Sequence, residues 1–482
     1  MYIAILGRQP ALGMAELEAV YGAANTRWFS DQAAIVETDT FLIDRLGGTQ
    51  KAGQIVAELR GDWRQVSMKI VQEYSQLWAQ HEGKITLGIS AYGFTGASQR
   101  DIQKTGIVLK QKLKNSGVSL RLIPNPEPAL NTATSHHNKL GLSPNKVELL
   151  VVRNRDGKVI VAESTGTQNI TAYTKRDQNR PKRDAFVGML PPKLAQIMIN
   201  LATMSSSPLR PLPLENGFAP GLNRVPTSVQ SRAADIFQPE EDQAAPQPSA
   251  VESDISSALS GIVKSVSQPI SAKRSAETAG GSSAEKSAPT EHDEMADEQA
   301  KTLRLLDPFC GTGVILQEAA LLGYQVYGTD LADKMIDYTR ANLEWLAQTH
   351  HIDTHVDLHQ ADARTAQWQQ PIDVVACESY LGQPFSAPPS PSKLTEVRGN
   401  CNQIISEFLK NIGAQLAPNT PLCVAVPAWR SSDGSFTHLP LIHSLDQLGY
   451  TRHQFKNVKD SDLLYYRENQ VVARELLVLV KT

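Results

Sequence analysis

Leu303-Arg304-Leu305-Leu306-Asp307-Pro308-Phe309-Cys310-Gly311-Thr312-Gly313 is the stretch that decides the fold of this chain. A short apolar strand over 303–306 runs into a glycine-bearing turn, and an apolar helix, Val314–Leu322, follows. Strand, Gly-rich turn and helix form the first unit of a doubly wound nucleotide-binding sheet. Gly311 and Gly313 let the backbone approach a ligand closely. A second strand, Tyr324–Gly328, ends at Thr329-Asp330, and Asp330 stands 17 residues after Gly313. A carboxylate there can accept hydrogen bonds from ribose hydroxyls. The nicotinamide fingerprint needs a third small residue where this chain has Leu316, so that fingerprint is incomplete.

Downstream, the strand pattern continues. Val356–His359 reads as a third strand, followed by Gln360-Ala361-Asp362-Ala363-Arg364. Ile372–Cys377 reads as a fourth and ends in Glu378-Ser379-Tyr380-Leu381-Gly382; Pro421–Ala428 reads as a fifth. Leu463–Tyr466 and Val471–Val480 flank Arg467-Glu468-Asn469-Gln470 and predict a terminal antiparallel hairpin.

Upstream, residues 203–302 are rich in Ser, Ala, Pro, Glu and Gln, with few aromatics. Such a composition cannot bury enough apolar surface to offset chain entropy, so a disordered polar insertion is expected. A short helix around Ile255–Val266 is compatible with its pattern.

The first 200 residues read as α/β. Tyr2–Leu6 is a strand and Leu12–Tyr21 a helix; Thr86–Ser90, Val147–Arg153 and Val159–Ser164 are strands, the last two joined by the hairpin turn Asn154-Arg155-Asp156-Gly157. Gln99–Ser116 is a helix carrying Lys104, Lys110, Lys112 and Lys114, and Pro191–Leu201 is a buried helix opened by prolines. Five basic residues, Lys175, Arg176, Arg180, Lys182 and Arg183, fall within nine positions.

Net charge is −3 over 482 residues, which excludes a uniformly basic nucleic-acid coat. The distribution is uneven. Residues 1–202 carry 25 Lys and Arg against 17 Asp and Glu, whereas residues 303–482 carry 14 against 19. Contact with nucleic acid therefore starts from the first 200 residues, through counterion release. Four cysteines exclude a disulfide scaffold, no apolar run reaches the roughly 18 residues of a membrane span, and no signal cleavage pattern is seen. A soluble, reduced, cytoplasmic protein is expected. His136-His137 and His350-His351 have no Cys or carboxylate at ligand spacing, so they read as loop histidines and no metal is called for. Cys310 reads as a small packing residue.

Asp307-Pro308-Phe309-Cys310-Gly311-Thr312-Gly313 with its downstream acid resembles S-adenosylmethionine (SAM)-dependent methyltransferases of the RNA-modifying, Rossmann-like class. The resemblance implies a seven-stranded sheet and a SAM site using Asp307, Phe309, Gly311, Gly313, Asp330 and, against the adenine amine, Asp362. It also implies a catalytic role for Glu378, Ser379 and Tyr380. They stand where such enzymes carry Asp/Asn-Pro-Pro-Tyr/Phe-Gly, a motif that accepts hydrogens from an exocyclic amine and stacks a ring on the base. This chain departs there. Glu378 adds a methylene, Ser379 and Tyr380 replace both prolines, Leu381 takes the aromatic position, and Gly382 is retained.

Upstream, Leu6-Gly7-Arg8, Leu46-Gly47-Gly48-Thr49-Gln50-Lys51, Gly88–Gly93 and Gly188-Met189-Leu190-Pro191-Pro192-Lys193 are similar to tRNA guanine-N2 methyltransferases of the archaeal and eukaryotic type. That resemblance implies a ferredoxin-like piece (1–80), a THUMP-type RNA-binding region (81–185) using Lys175, Arg176, Arg180, Lys182 and Arg183, a junction helix (186–202), the insertion (203–302) and a SAM domain (303–482). The implied partner is tRNA or another structured RNA. An insertion before the first SAM strand need not break the fold, because closure costs only about 0.6 kcal/mol per doubling of loop length. Two other readings remain. One is a non-catalytic RNA-binding relative, suggested by the altered motif at 378–381. The other is an adenine-N6 DNA methyltransferase, which the N-terminal resemblance disfavours.

Overall fold

The computed structural model describes residues 1–184, 190–203 and 302–482. The expected insertion and the helix proposed at 255–266 lie outside the described residues, apart from the terminal positions 203 and 302.

The N-terminal module is built on one eight-stranded sheet, with helices packed against it. Its strands are β1 (Tyr2–Leu6), β2 (Thr26–Ser30), β3 (Ala33–Val36), β4 (Thr49–Arg60), β5 (Lys84–Tyr92), β6 (Ser119–Leu122), β7 (Lys146–Arg153) and β8 (Lys158–Thr167), in the order β2-β3-β1-β4-β8-β7-β5-β6. The twelve-residue β4 is the spine, pairing antiparallel with β1 on one side and with β8 on the other. A boundary at residue 80 therefore does not separate two sheets: strands from both sides of it share one.

Helices α1 (Pro10–Tyr21), α2 (Trp63–Leu77), α3 (Gln99–Asn115), α4 (Thr132–His137), α5 (Ile170–Gln178) and α6 (Pro192–Thr203) complete the described helices of this half. Capping boxes open α2, between Asp62 and Gln65, and α3, between Ser98 and Asp101. Helix α3 buries Ile102, Leu109 and Leu113 and leaves its lysines exposed. Every residue of α6 except Lys193 is buried. The helix packs on α1 and on the first helix of the C-terminal domain, within one apolar core that takes residues from both halves. His136 and His137 lie in α4 rather than in a loop.

The C-terminal domain comprises β9 (Arg304–Asp307), α7 (Val314–Leu321), β10 (Gln325–Asp330), α8 (Asp333–His350), β11 (Val356–Gln360), β12 (Val374–Glu378), α9 (Pro391–Gly413), β13 (Pro421–Arg430), β14 (Phe436–Thr437), β15 (Tyr450–Arg452), β16 (Leu464–Tyr465) and β17 (Val472–Lys481). His350 closes α8. The sheet runs β11-β10-β9-β12-β13-β17-β15, with β14 and β16 pairing off this path. Strands β9 to β13 are parallel and β17 is antiparallel to β13. This is a Rossmann-like seven-stranded path. The expected hairpin forms, Leu464 opposite Glu475 and Tyr465 opposite Arg474, but the outer strand of the path is the three-residue β15, which the sequence pattern did not disclose. Strand order reverses between β9 and β12. Ligands of such sheets bind at the carboxyl ends of the strands beside that switch point. Asp307, Asp330 and Glu378 close three of those ends.

Candidate active site

The turn after β9 is shaped by its glycines. Gly311 has φ +52° and Gly313, which caps α7, has φ +79°. A Cβ on Gly313 would also stand 2.8 Å from Cγ2 of Thr339. The Thr339 hydroxyl donates to the Gly311 carbonyl at 2.8 Å, and the Asn342 amide donates to the Thr312 carbonyl at 2.8 Å, so α8 holds the turn from behind. The incomplete fingerprint at Leu316 has a local remedy. On β10, Gly328 leaves room for the leucine, where a Cβ would come within 2.5 Å of its Cδ1. Close helix–strand packing is achieved with the small residue on the strand. Cys310 is buried, as are the three other cysteines, and all four are unpaired.

Asp330 accepts from the Gly311 amide and the Ala332 amide, both at 2.9 Å, one on each carboxylate oxygen. Each oxygen has capacity for a second hydrogen bond. Asp307 is buried and accepts from the Phe309 amide at 3.1 Å. Burial pushes its carboxyl well above the usual range, and the charges of Asp330 and Glu378 push it further. The Phe309 ring meets Phe408 edge-on at 4.9 Å. Asp330 and Glu378 flank the buried acid Asp307 at the edge of a glycine turn, an environment suited to a cationic sulfonium whose sugar offers hydroxyl donors. The residues present therefore fit SAM.

Asp362 does not stand open as expected. Arg364 takes its carboxylate through Nε at 3.0 Å to Oδ1, Nη2 at 2.6 Å to Oδ2 and its own amide at 2.9 Å to Oδ1, while Nε also lies 3.2 Å from Oδ2. The Nε hydrogen is shared between the two oxygens, so three N–H groups of Arg364 meet a carboxylate that offers about four acceptor positions, and Oδ2 keeps room for one more donor.

The three residues after β12 divide by role. Glu378 is mostly buried, and the Arg474 Nε of β17 donates to its Oε1. Ser379 is buried, and both its amide and its hydroxyl donate to the Ala425 carbonyl, at 3.0 and 2.8 Å. Its hydroxyl proton is committed to the sheet, so the Ser379 side chain anchors the turn, and contact with a substrate amine would fall to its backbone carbonyl. Tyr380 is 42% exposed, a ring open to a stacking partner.

The basic cluster divides as well. Arg176 is buried and forms a two-point ion pair with Glu318 of α7, Nε at 2.8 Å and Nη2 at 3.1 Å. Arg180 is buried too, with Asp177 at 3.6 Å. Neither presents charge to a ligand surface, so both are withdrawn as RNA contacts. Lys175, Lys182 and Arg183 are exposed. The Lys182 backbone is clasped by Asn342, which donates to its carbonyl and accepts from its amide, both at 2.9 Å. Arg474 went unnoticed in the sequence. Its signal was an Arg-Glu pair inside an apolar central strand, which must find partners; Glu475 finds His438 and Arg452.

Residues 299–468 match the family model described as a methyltransferase domain. This part of the chain is a methyltransferase domain. Its fold is the Rossmann-like sheet described above. A tRNA (guanine(10)-N2)-dimethyltransferase of Methanothermobacter thermautotrophicus is 32% identical over 124 residues, 26% of this chain and 33% of that protein. A protein of the same name from Pyrococcus abyssi is 48% identical over 44 residues, 9% of this chain and 13% of the other. The chain thus spans a third or less of the length of these curated relatives. The crystal structure of TrmN from Thermus thermophilus aligns over 100% of this chain and 99% of its own at 15% identity, with a TM-score of 0.47. Among the described residues, no helix of the methyltransferase or its N-terminal module is long and apolar enough to cross a membrane.

Proposed function

We propose that this methyltransferase acts on RNA, transferring a methyl group to the exocyclic N2 amine of a guanine in tRNA, in the cytoplasm. The observation that carries this reading is Glu378 at the end of β12, beside Asp307 and Asp330 and next to the exposed ring of Tyr380. The archaeal relatives, matched over short segments, carry guanine-N2 dimethylation in their names.

The Gly311–Gly313 turn and Asp330 would hold SAM, Asp330 through the ribose hydroxyls. When bound, the cofactor supplies a methyl group whose C–S electron pair leaves with sulfur as the amine nitrogen forms the C–N bond. Glu378 accepts a hydrogen from that amine, which orients the nitrogen and offsets the positive charge it gains. Tyr380 stacks on the base. An exocyclic amine is a weak nucleophile because its lone pair is delocalised, so the gain is mainly positional. Lys175, Lys182 and Arg183, with the exposed lysines of α3, give the N-terminal module a basic surface for phosphates, the role of a THUMP-type region.

The test is incubation with methyl-labelled SAM and bulk tRNA, followed by mass analysis of the nucleosides. Label in N2-methyl- or N2,N2-dimethylguanosine is expected. Label in another nucleoside overturns the guanine assignment, and no label in RNA overturns the reading.

A further inference from the structure

The ion pair between Glu378 and Arg474 is unusual in its placement. Strands β12 and β17 are not neighbours, because β13 lies between them. Glu378 stands opposite Ala425 of β13, and Arg474 stands opposite Pro427, two residues nearer the strand's carboxyl end. The guanidinium therefore reaches diagonally across β13 to an acid at the carboxyl edge of the sheet. Arg474 stands opposite Tyr465 of β16 in the sheet register. Among the described residues, Asp307 on the adjacent β9 and Arg474 on β17 are charged or titratable groups that interact with this acid.

Resting on the function proposed above, we propose that Arg474 is a positioning residue for methyl transfer. It fixes one oxygen of Glu378 and leaves the other, Oε2, to receive the target amine. A free glutamate has three side-chain torsions to order before it can hold a substrate nitrogen in line. The arginine orders them in advance, from a rigid central strand rather than a loop. It also places a cation against Glu378, which offsets that negative charge when the substrate arrives. The pair is 10% exposed on the arginine side and 17% on the glutamate side, so water screens it weakly.

The experiment compares the full chain with Arg474→Gln, Arg474→Lys, Glu378→Gln and the Glu378→Gln/Arg474→Gln double variant. Arg474→Gln is expected to lower kcat about 100-fold, the scale of a misplaced reacting group, with SAM affinity and KM for tRNA close to wild type, and to lower Tm because a mostly buried carboxylate loses its partner. Arg474→Lys should recover part of kcat. The double variant should be no slower than Glu378→Gln alone, because Arg474 acts through Glu378. Loss of SAM affinity in step with kcat, or additive losses in the double variant, would overturn the proposal. Carbodiimide labelling of carboxyl groups, read by mass spectrometry, decides the matter without turnover. Glu378 should become several-fold more reactive in Arg474→Gln, and unchanged reactivity would overturn the positioning role. If the wild-type chain methylates no tRNA, the proposed function fails, and the labelling still reads the pair by itself.

Discussion

Two stretches that lie against each other, Asp307–Gly313 and Lys175–Arg183, differ in how their chemistry is carried. The first works through backbone: two left-handed glycines, a strand-end acid and carbonyls held by α8. The second consists of charges, and its partners decide what they do. Glu318, 142 residues away, withdraws Arg176 from the surface. A turn defined by backbone conformation can be read from a few adjacent residues. A cluster of arginines cannot be read without the acids that fold onto it. Asn342 joins the two stretches, bonding the Thr312 carbonyl on one side and the Lys182 backbone on the other.

The largest effect should come from breaking the buried side of the second stretch. Arg176→Ala leaves Glu318 buried without its partner, and the loss should be about 3–5 kcal/mol in denaturant unfolding. A change below about 1 kcal/mol would return Arg176 to the surface and to the RNA. Next is Glu16, buried on α1 and accepting from the amides of Gly47 and Gly48 and from Asn200 of α6. Burial pushes its carboxyl from 4.5 up to about 7. The folded state therefore binds this proton more tightly than the unfolded chain. The stability it contributes is complete below about pH 4.5 and is lost as pH rises through about 7, by about 3 kcal/mol in all. Unfolding at pH 5 and pH 8 should show that decline in the wild type and a flatter profile in Glu16→Gln; equal slopes would remove Glu16 as its source.

On the side of the turn, Asp330→Ala should weaken SAM binding about tenfold or more, by loss of a hydroxyl acceptor and of the bond to Gly311. Unchanged calorimetric affinity would refute that role. The smallest effect belongs to the exposed charges. Neutralising Lys175, Lys182 and Arg183 should weaken RNA binding uniformly and reduce the slope of log affinity on log salt by about 0.7–0.9 for each phosphate no longer neutralised. The same change at Arg176 and Arg180 should leave that slope unmoved. A slope that follows the buried pair instead would reverse the contrast.

The strands of the C-terminal sheet were legible because β9, β12 and β13 are short apolar runs ending in turn residues, as buried parallel strands require. The terminal hairpin followed the same logic. Strand β15 has three residues and no pattern of its own, and it exists because β17 offers an edge. In the N-terminal sheet, β4 was hidden by Lys51. That lysine is buried among Ser90, the Leu130 carbonyl and Glu148, a partner 97 residues away. Burial pushes its ammonium pKa down even with Glu148 beside it. At the site, Asp307, Asp330 and Glu378 stand at the carboxyl ends of their strands, beside the Gly311–Gly313 turn. Asp362 and Ser379 follow the ends of β11 and β12, but Arg364 holds most of the Asp362 carboxylate and the Ala425 carbonyl takes the Ser379 hydroxyl proton. Position followed from local sequence. Availability depended on neighbours that spacing does not encode.

The most direct measurement is titration of the full chain with SAM, followed by displacement with its demethylated product. One saturable site per chain is expected, competed by the product and weakened by Asp330→Ala. No saturable binding of either molecule would contradict a SAM site at the Gly311–Gly313 turn.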